Sequence, residues 1–140
     1  MREFRNLFTA TLAALMLALV ATSNASAATR YVDDDWAGFA SGTSVTIGAV
    51  NATIGTDAYA TVQAAINASA AGDVIQVGPG TYSELVVVNK SVELRGAQYG
   101  VAATGSARSG GESVLQGTGG SSSYNVHVQA NDVVIDGSGT

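Results

Sequence analysis

The segment GDVIQVGPGTYSELVVVNKSVELRG, residues 72–96, sets three short aliphatic runs, 74–77, 85–88 and 92–94, between Gly-Pro-Gly and Asn-Lys-Ser punctuation. Apolar runs this brief, bounded by turn residues, read as strands. In the first run Ile75 and Val77 share a face while Gln76 points the other way. In the third, Val92 and Leu94 lie opposite Glu93 and Arg95. Successive strand residues alternate faces, so each strand has one buried side.

The same phrase returns downstream as SVELRG (91–96), SVLQG (113–117) and DVVIDG (132–137). The closing glycines, Gly96, Gly117 and Gly137, are spaced 21 and 20 apart. A fixed period in this range signals a solenoid, and the lack of a helix or Leu lattice in the repeat favours a β-helix over a leucine-rich repeat. The intervening QYGVAATGSARSGG, 98–111, reads as a loop long enough to put the three phrases on different strands of a coil.

Upstream the period changes. In ATVQAAINASAAG, 60–72, Val62, Ala65, Ile66, Ser69 and Ala70 follow helical spacing, and Gly72 stands where a C′ residue would, giving a helix of about ten residues. Thr61 and Asp57 are the candidate N-caps. So short a helix needs something to lie against. Residues 28–56 carry strand-like runs at 31–32, 45–47 and 52–54 among Gly, Ser and Asn, and read as an irregular β cap.

The N-terminus is different again: Arg2 and Arg5 precede LAALMLALVA, 12–21, and Ala25-Ser26-Ala27 follows. This has the form of a secretory leader, residues 1–27. Ten uninterrupted apolar residues, or about fifteen counted from Leu7, fall short of the roughly 20 needed to span a bilayer, so no membrane association is expected once the leader is removed. The whole chain of 140 residues carries 6 basic and 11 acidic groups and a net charge of −5. Cleavage after Ala27 removes Arg2, Arg5 and Glu3 and leaves an acidic chain whose cations, Arg30, Lys90, Arg95 and Arg108, are scattered. Such a chain repels phosphate backbones, and no nucleic-acid partner is expected. With no cysteine, disulfides, thiolate metal sites and thiol nucleophiles are excluded.

TVQAAINASAAGDVIQVGPGTYSELVVVNKSVELRGA, 61–97, resembles the N-terminal capping helix and first coils of right-handed parallel β-helix proteins of the pectin-lyase-like superfamily, pectinesterases among them. The resemblance implies that Val62 and Ile66 plug the open end and that Ile75 and Val77 begin the interior stack. It puts Gly80, Thr81 and Tyr82 at a first corner, Lys90 at a second, and Leu94 with Gly96 on the next rung. Polysaccharide is the partner it implies, with enzyme members carrying their catalytic acids, amides and arginine on later coils.

The expected fold is therefore all-β: a right-handed parallel β-helix with a short capping α-helix over residues 57–140, behind the cap at 28–56. A strand directly before the chain's last residues, with no capping group after it, reads as a fragment of a longer protein. The residues offer little chemistry of their own. Asp33, Asp34 and Asp35 invite a calcium reading, but on a strand only Asp33 and Asp35 share a face, which favours solvated acids. His127, the sole histidine, alternates with Val126 and Val128 and points outward. Asp132 and Asp136, four apart, could be sought as a glycosidase carboxylate pair, yet Asp132 reads as turn. Residues 117–125, GTGGSSSYN, lack the Lys-Ser or Lys-Thr of a phosphate loop. Asn51, Asn67 and Asn89 begin glycosylation sequons, meaningful only in a secretory eukaryote. Among the aromatics, Trp36 and Tyr82 read as packing groups, and Tyr99 and Tyr124 as freer loop residues. No catalytic, cofactor or metal residue is assigned. Three functions fit: a secreted or cell-surface module on polysaccharide, the start of a carbohydrate-active enzyme, and a structural repeat protein or adhesin.

Overall fold

The computed structural model describes residues 26–102, 108–118 and 124–137. Residues 1–25 of the leader, the middle of the 98–111 loop and most of the Gly-Ser-rich stretch at 117–125 lie outside them. Strands dominate, helical residues are few, and the sheets are mostly parallel, with no closed barrel.

The strands are β1 (Thr29–Val32), β2 (Ser44–Ile47), β3 (Val50–Thr53), β4 (Ala58–Tyr59), β5 (Val74–Val77), β6 (Gly80–Ser83), β7 (Val86–Val88), β8 (Glu93–Arg95), β9 (Ser113–Gln116), β10 (Val126–Val128) and β11 (Val134–Asp136); among the described residues the one α-helix, α1, is Val62–Ala68. From β5 onward the pairing follows a rule. β5 pairs in parallel with β8, β6 with β9, β7 with β10 and β8 with β11, so each strand lies beside the one three later in the chain. The register keeps apolar groups in columns: Ile75 with Leu94 and Ile135, Tyr82 with Leu115, Val86 with Val126, Val88 with Val128.

This pairing corrects the spacing argument. SVELRG and DVVIDG do align, through β8 and β11, but SVLQG is β9 and pairs with β6 in a different sheet. The true register steps are Ile75 to Leu94 and Leu94 to Ile135. The near-equal glycine spacing is coincidental: residues 96–112 separate the consecutive strands β8 and β9, whereas β10 lies between β9 and β11. Gly80, Thr81 and Tyr82, read as a corner, are all strand residues of β6; the bend lies before them at Gly78 and Pro79.

The helix is seven residues long, shorter than expected. Thr61 is its N-cap, accepting from the Ala64 N–H at 3.2 Å, whereas Asp57 accepts from Thr53 instead. Its end comes at Ser69, in extended conformation, so Gly72 is not the C′ residue; its φ of 90° serves the next turn. Lys90 ends the helix from outside, its Nζ donating at 2.6 Å to the carbonyls of Asn67 and Ser69. Orphan carbonyls of a last turn require such partners.

Val62, Ala65 and Ile66 on this helix are fully buried in one cluster with Val32, Ile75, Val77, Tyr82, Val86, Val88, Val92 and Leu94. The Tyr82 hydroxyl donates to the carbonyls of Gly78 at 3.0 Å and Val32 at 3.3 Å, so its polar end is satisfied inside. Burial raises the pKa of that phenol, with Asp33 and Asp34 adding to the effect. Residues 28–56 supply β1, which lies inside the five-stranded sheet between β5 and β4, and the antiparallel pair β2–β3. Trp36 packs there with Val45, Ala52, Ile54 and Ala58.

Every strand of the set β5–β6–β7 has its near edge covered, each by a different device. β1 pairs along β5. The Asp34 carboxylate accepts from the Thr81 N–H of β6 at 3.0 Å. Gln63 of α1 serves β7: its Oε1 accepts from the Val87 N–H at 2.7 Å and its Nε2 donates to the Val87 carbonyl at 3.3 Å. Unpaired edge groups are both costly and a template for aggregation. Glu84, in turn, holds the helix in place, its two oxygens accepting from Val62 and Gln63 N–H groups at 2.8 and 2.9 Å.

Two substitutions test this arrangement. Ile66→Ala removes buried volume with little room to collapse and should cost about 2–5 kcal/mol in urea unfolding. Glu84→Ala strips a charged acceptor from two helix N–H groups and should cost about 1.5–3 kcal/mol, whereas exposed Asn67→Ala should stay within about 0.5 kcal/mol.

Candidate functional site

The parallel sheet β1–β5–β8–β11 turns Ile75 and Leu94 inward and a polar row outward. Tyr31, Gln76, Arg95 and Asp136 occupy one register position across its four strands. Tyr31 is drawn toward the Trp36 cluster, which leaves Gln76, Arg95 and Asp136 as the polar part. Gln76 donates from Nε2 to the Gly96 carbonyl at 3.1 Å. Arg95 binds Glu93, two residues away on the same face, through Nε at 2.7 Å and a second nitrogen at 3.0 Å. These hydrogen bonds to Glu93 raise the guanidinium's already high pKa.

The Arg95 guanidinium lies 4.4 Å from the centre of the Tyr99 ring, which is 40% exposed. Arg held flat by a carboxylate fork and stacked on an aromatic ring is a rigid platform. A separate cleft of about 110 Å³ is lined by the inward-facing Val77, Leu94, Leu115 and Ile135, with Arg95 and Asp136 also contributing. The platform offers hydrogen-bond donors and acceptors with an open ring face. Its ionised groups hold one another, which suits binding better than proton transfer.

The other sequence candidates fall elsewhere. The three aspartates do not lie on a strand. Asp33 caps a single 3-10 turn, Asp34–Trp36, by accepting from the Asp35 N–H, and the turn gathers all three carboxylates within 4.8 Å, Asp34 included. That corrects the two-faced reading, which assumed extended backbone. Their visible work is structural, since Asp34 holds Thr81 and lies so close to Gly80 that a Cβ there would clash with it. Burial raises the Asp33 pKa; the Asp35 N–H opposes this, and the charges of Asp35 and Asp34 reinforce it. His127 faces away from the Val86–Val126 and Val88–Val128 columns, as its alternation implied, with its ring 4.7 Å from Tyr124 and Nδ1 3.3 Å from Gln129. Asp132 is in a turn with φ of 53°, and Asp136 is on β11 in register with Arg95, so the two are not a matched pair on one strand. Asn51, Asn67 and Asn89 are exposed.

Sequence reading missed Asp73, the most buried carboxylate in the described residues at 3% exposure. One oxygen accepts from the Ala28 nitrogen at 2.8 Å; the other accepts from the Ala70 N–H at 2.9 Å and from Arg30 at 3.2 Å. Burial works against its charge, but the Ala70 and Ala28 hydrogen bonds and Arg30 outweigh it, and its pKa is lowered. The only local signal is the Gly-Asp step after the helix.

Comparison of the chain with protein-family models, curated proteins and solved structures found no match. Among the described residues no helix is long and apolar enough to cross a membrane.

Asp73 makes a pH prediction. A carboxylate with a lowered folded pKa stabilises fully above the ordinary value of about 3.9, and that contribution fades as pH falls through the folded value. Thermal midpoints should therefore drop steeply from about pH 4 downward, and Asp73→Asn should flatten that acid limb while lowering stability at neutral pH.

Proposed function

We propose that this chain is the N-terminal part of an exported right-handed parallel β-helix, and that its outer sheet face binds polysaccharide without cleaving it. The observation that carries the fold half is the three-strand interval of parallel pairing, which puts β5, β6 and β7 under β8, β9 and β10. Val128 and Ile135, the far members of the Val88–Val128 and Ile75–Leu94–Ile135 columns, are 46% and 53% exposed, where a further turn would bury them. The leader-like N-terminus supports export to the cell surface or beyond.

The binding half rests on the Arg95–Tyr99 platform beside Gln76 and Asp136. Sugars present hydroxyl groups in a plane and an apolar ring face, and the platform meets both. No cofactor enters this reading. Fold likeness alone would be a poor warrant for it. A second reading, the start of a carbohydrate-active enzyme with its catalytic groups on later turns, is favoured by the same row: amide, guanidinium and carboxylate recur at one register position on successive strands.

The full gene product should be retained by affinity electrophoresis in at least one neutral or acidic polysaccharide. Tyr99→Ala should weaken that retention several-fold, in line with about 0.5–1.5 kcal/mol for an aromatic contact. Retention by no polysaccharide, or retention indifferent to Tyr99, removes the binding reading; release of reducing ends or unsaturated products favours the enzyme.

A further inference from the structure

Ala28 is the residue that leader removal would leave at the start of the chain, since Ala25-Ser26-Ala27 precedes it and both Ser26 and Ala27 are exposed. It is already docked. Its nitrogen lies 2.8 Å from Asp73 Oδ1, and its carbonyl accepts from the Val74 N–H at 2.9 Å as β1 joins β5. We propose that the leader is cut between Ala27 and Ala28, and that the α-ammonium group so created pairs with buried Asp73, locking β1 onto the sheet in the processed protein. This rests on the reading of the chain as exported.

The chemistry is hydrolysis by a leader peptidase. Water adds across the Ala27–Ala28 amide and the C–N bond breaks. Ala27 leaves with the carboxylate, and the Ala28 nitrogen takes up a proton to become the ammonium. The nitrogen that offered Asp73 one neutral N–H then offers a positive charge from the same place. The bond already has an ionised acceptor; the ammonium adds a Coulomb attraction between opposite charges, and Ala28 is half-buried, where screening by salt is reduced.

The surrounding charges are accounted for. Arg30 on β1 opposes a second cation, but it divides its guanidinium between Asp73 and the Thr56 carbonyl at 3.0 Å. Lys90 is held by the carbonyls of Asn67 and Ser69, and Glu93 on β8 by Arg95. Asp57, ahead of β4, accepts from Thr53. Asp73 is thus the carboxylate that meets the new terminus, and β1, through it, is tied to the loop that follows α1.

The test uses the protein as cells export it. N-terminal sequencing should begin Ala28-Thr29-Arg30. Trace acetylation with acetic anhydride across a pH series then gives the midpoint at which the α-amino group becomes reactive. In the folded protein it should lie above the ordinary range of about 7.7–8.0, and it should return to that range in denaturing urea, and also in Asp73→Asn where that variant folds. The pair's contribution to stability is full below the ordinary α-amino value and is lost as pH rises through the raised one. A midpoint in the ordinary range on a folded chain starting at Ala28 overturns the ion pair and leaves export standing. A different first residue overturns the cleavage assignment and with it the proposal. Protein retained inside the cell with its leader attached overturns the export reading itself.

Discussion

A parallel strand at a sheet edge leaves a row of backbone N–H and C=O groups unpaired, and the strands β5, β6 and β7 have three separate solutions on their near side. A strand covers the first, a carboxylate the second and a glutamine amide the third. Gln63 works because a side-chain amide carries the same donor and acceptor as a peptide group, so one residue substitutes for a missing strand at Val87. Once Gln63 must reach β7, the helix that bears it has little freedom. Glu84 grips its first turn, Lys90 its last, and Ile66 fills the space beneath.

The two ends of the stack are therefore unlike. The near end has its backbone groups met and its apolar residues sealed by α1, whereas the Ile75–Leu94–Ile135 column runs from fully buried to half exposed. The charged groups follow the same division of labour. Asp34, Glu84 and Asp73 are spent on backbone N–H groups of the cap, while Glu93, Arg95 and Asp136 face outward on the sheet. The capping carboxylates hold backbone N–H groups, whereas the outer face carries the Glu93–Arg95 pair beside Tyr99.

Strand positions were readable because alternation is local: Ile75 and Val77 against Gln76 is decided within four residues, and so is Val62, Ala65 and Ile66 along a helical face. Column membership was not, because SVLQG looks like SVELRG and only the pairing of β9 with β6 separates them. The aspartate run misled for a related reason. Its faces depend on whether the backbone is extended or turned, and Asp33 decides that by capping the turn with its own side chain.

The order of amino acids settled that 74–77 and 93–95 are strand, that Val62, Ala65 and Ile66 lie on one helical face and which side of each is apolar, since these follow from propensities and periods that act over a few neighbours; it did not settle β6, read as a corner, or where the helix ends. The partners of Asp73, Gln63, Glu84 and Asp34 lie 22 to 47 residues away along the chain in their longest contacts. The outward row of Gln76, Arg95 and Asp136 exists only once loop lengths have set the register. Tertiary structure alone decided these, because a hydrogen bond or a stacked side chain depends on positions in space that chain-distant segments acquire only by folding together.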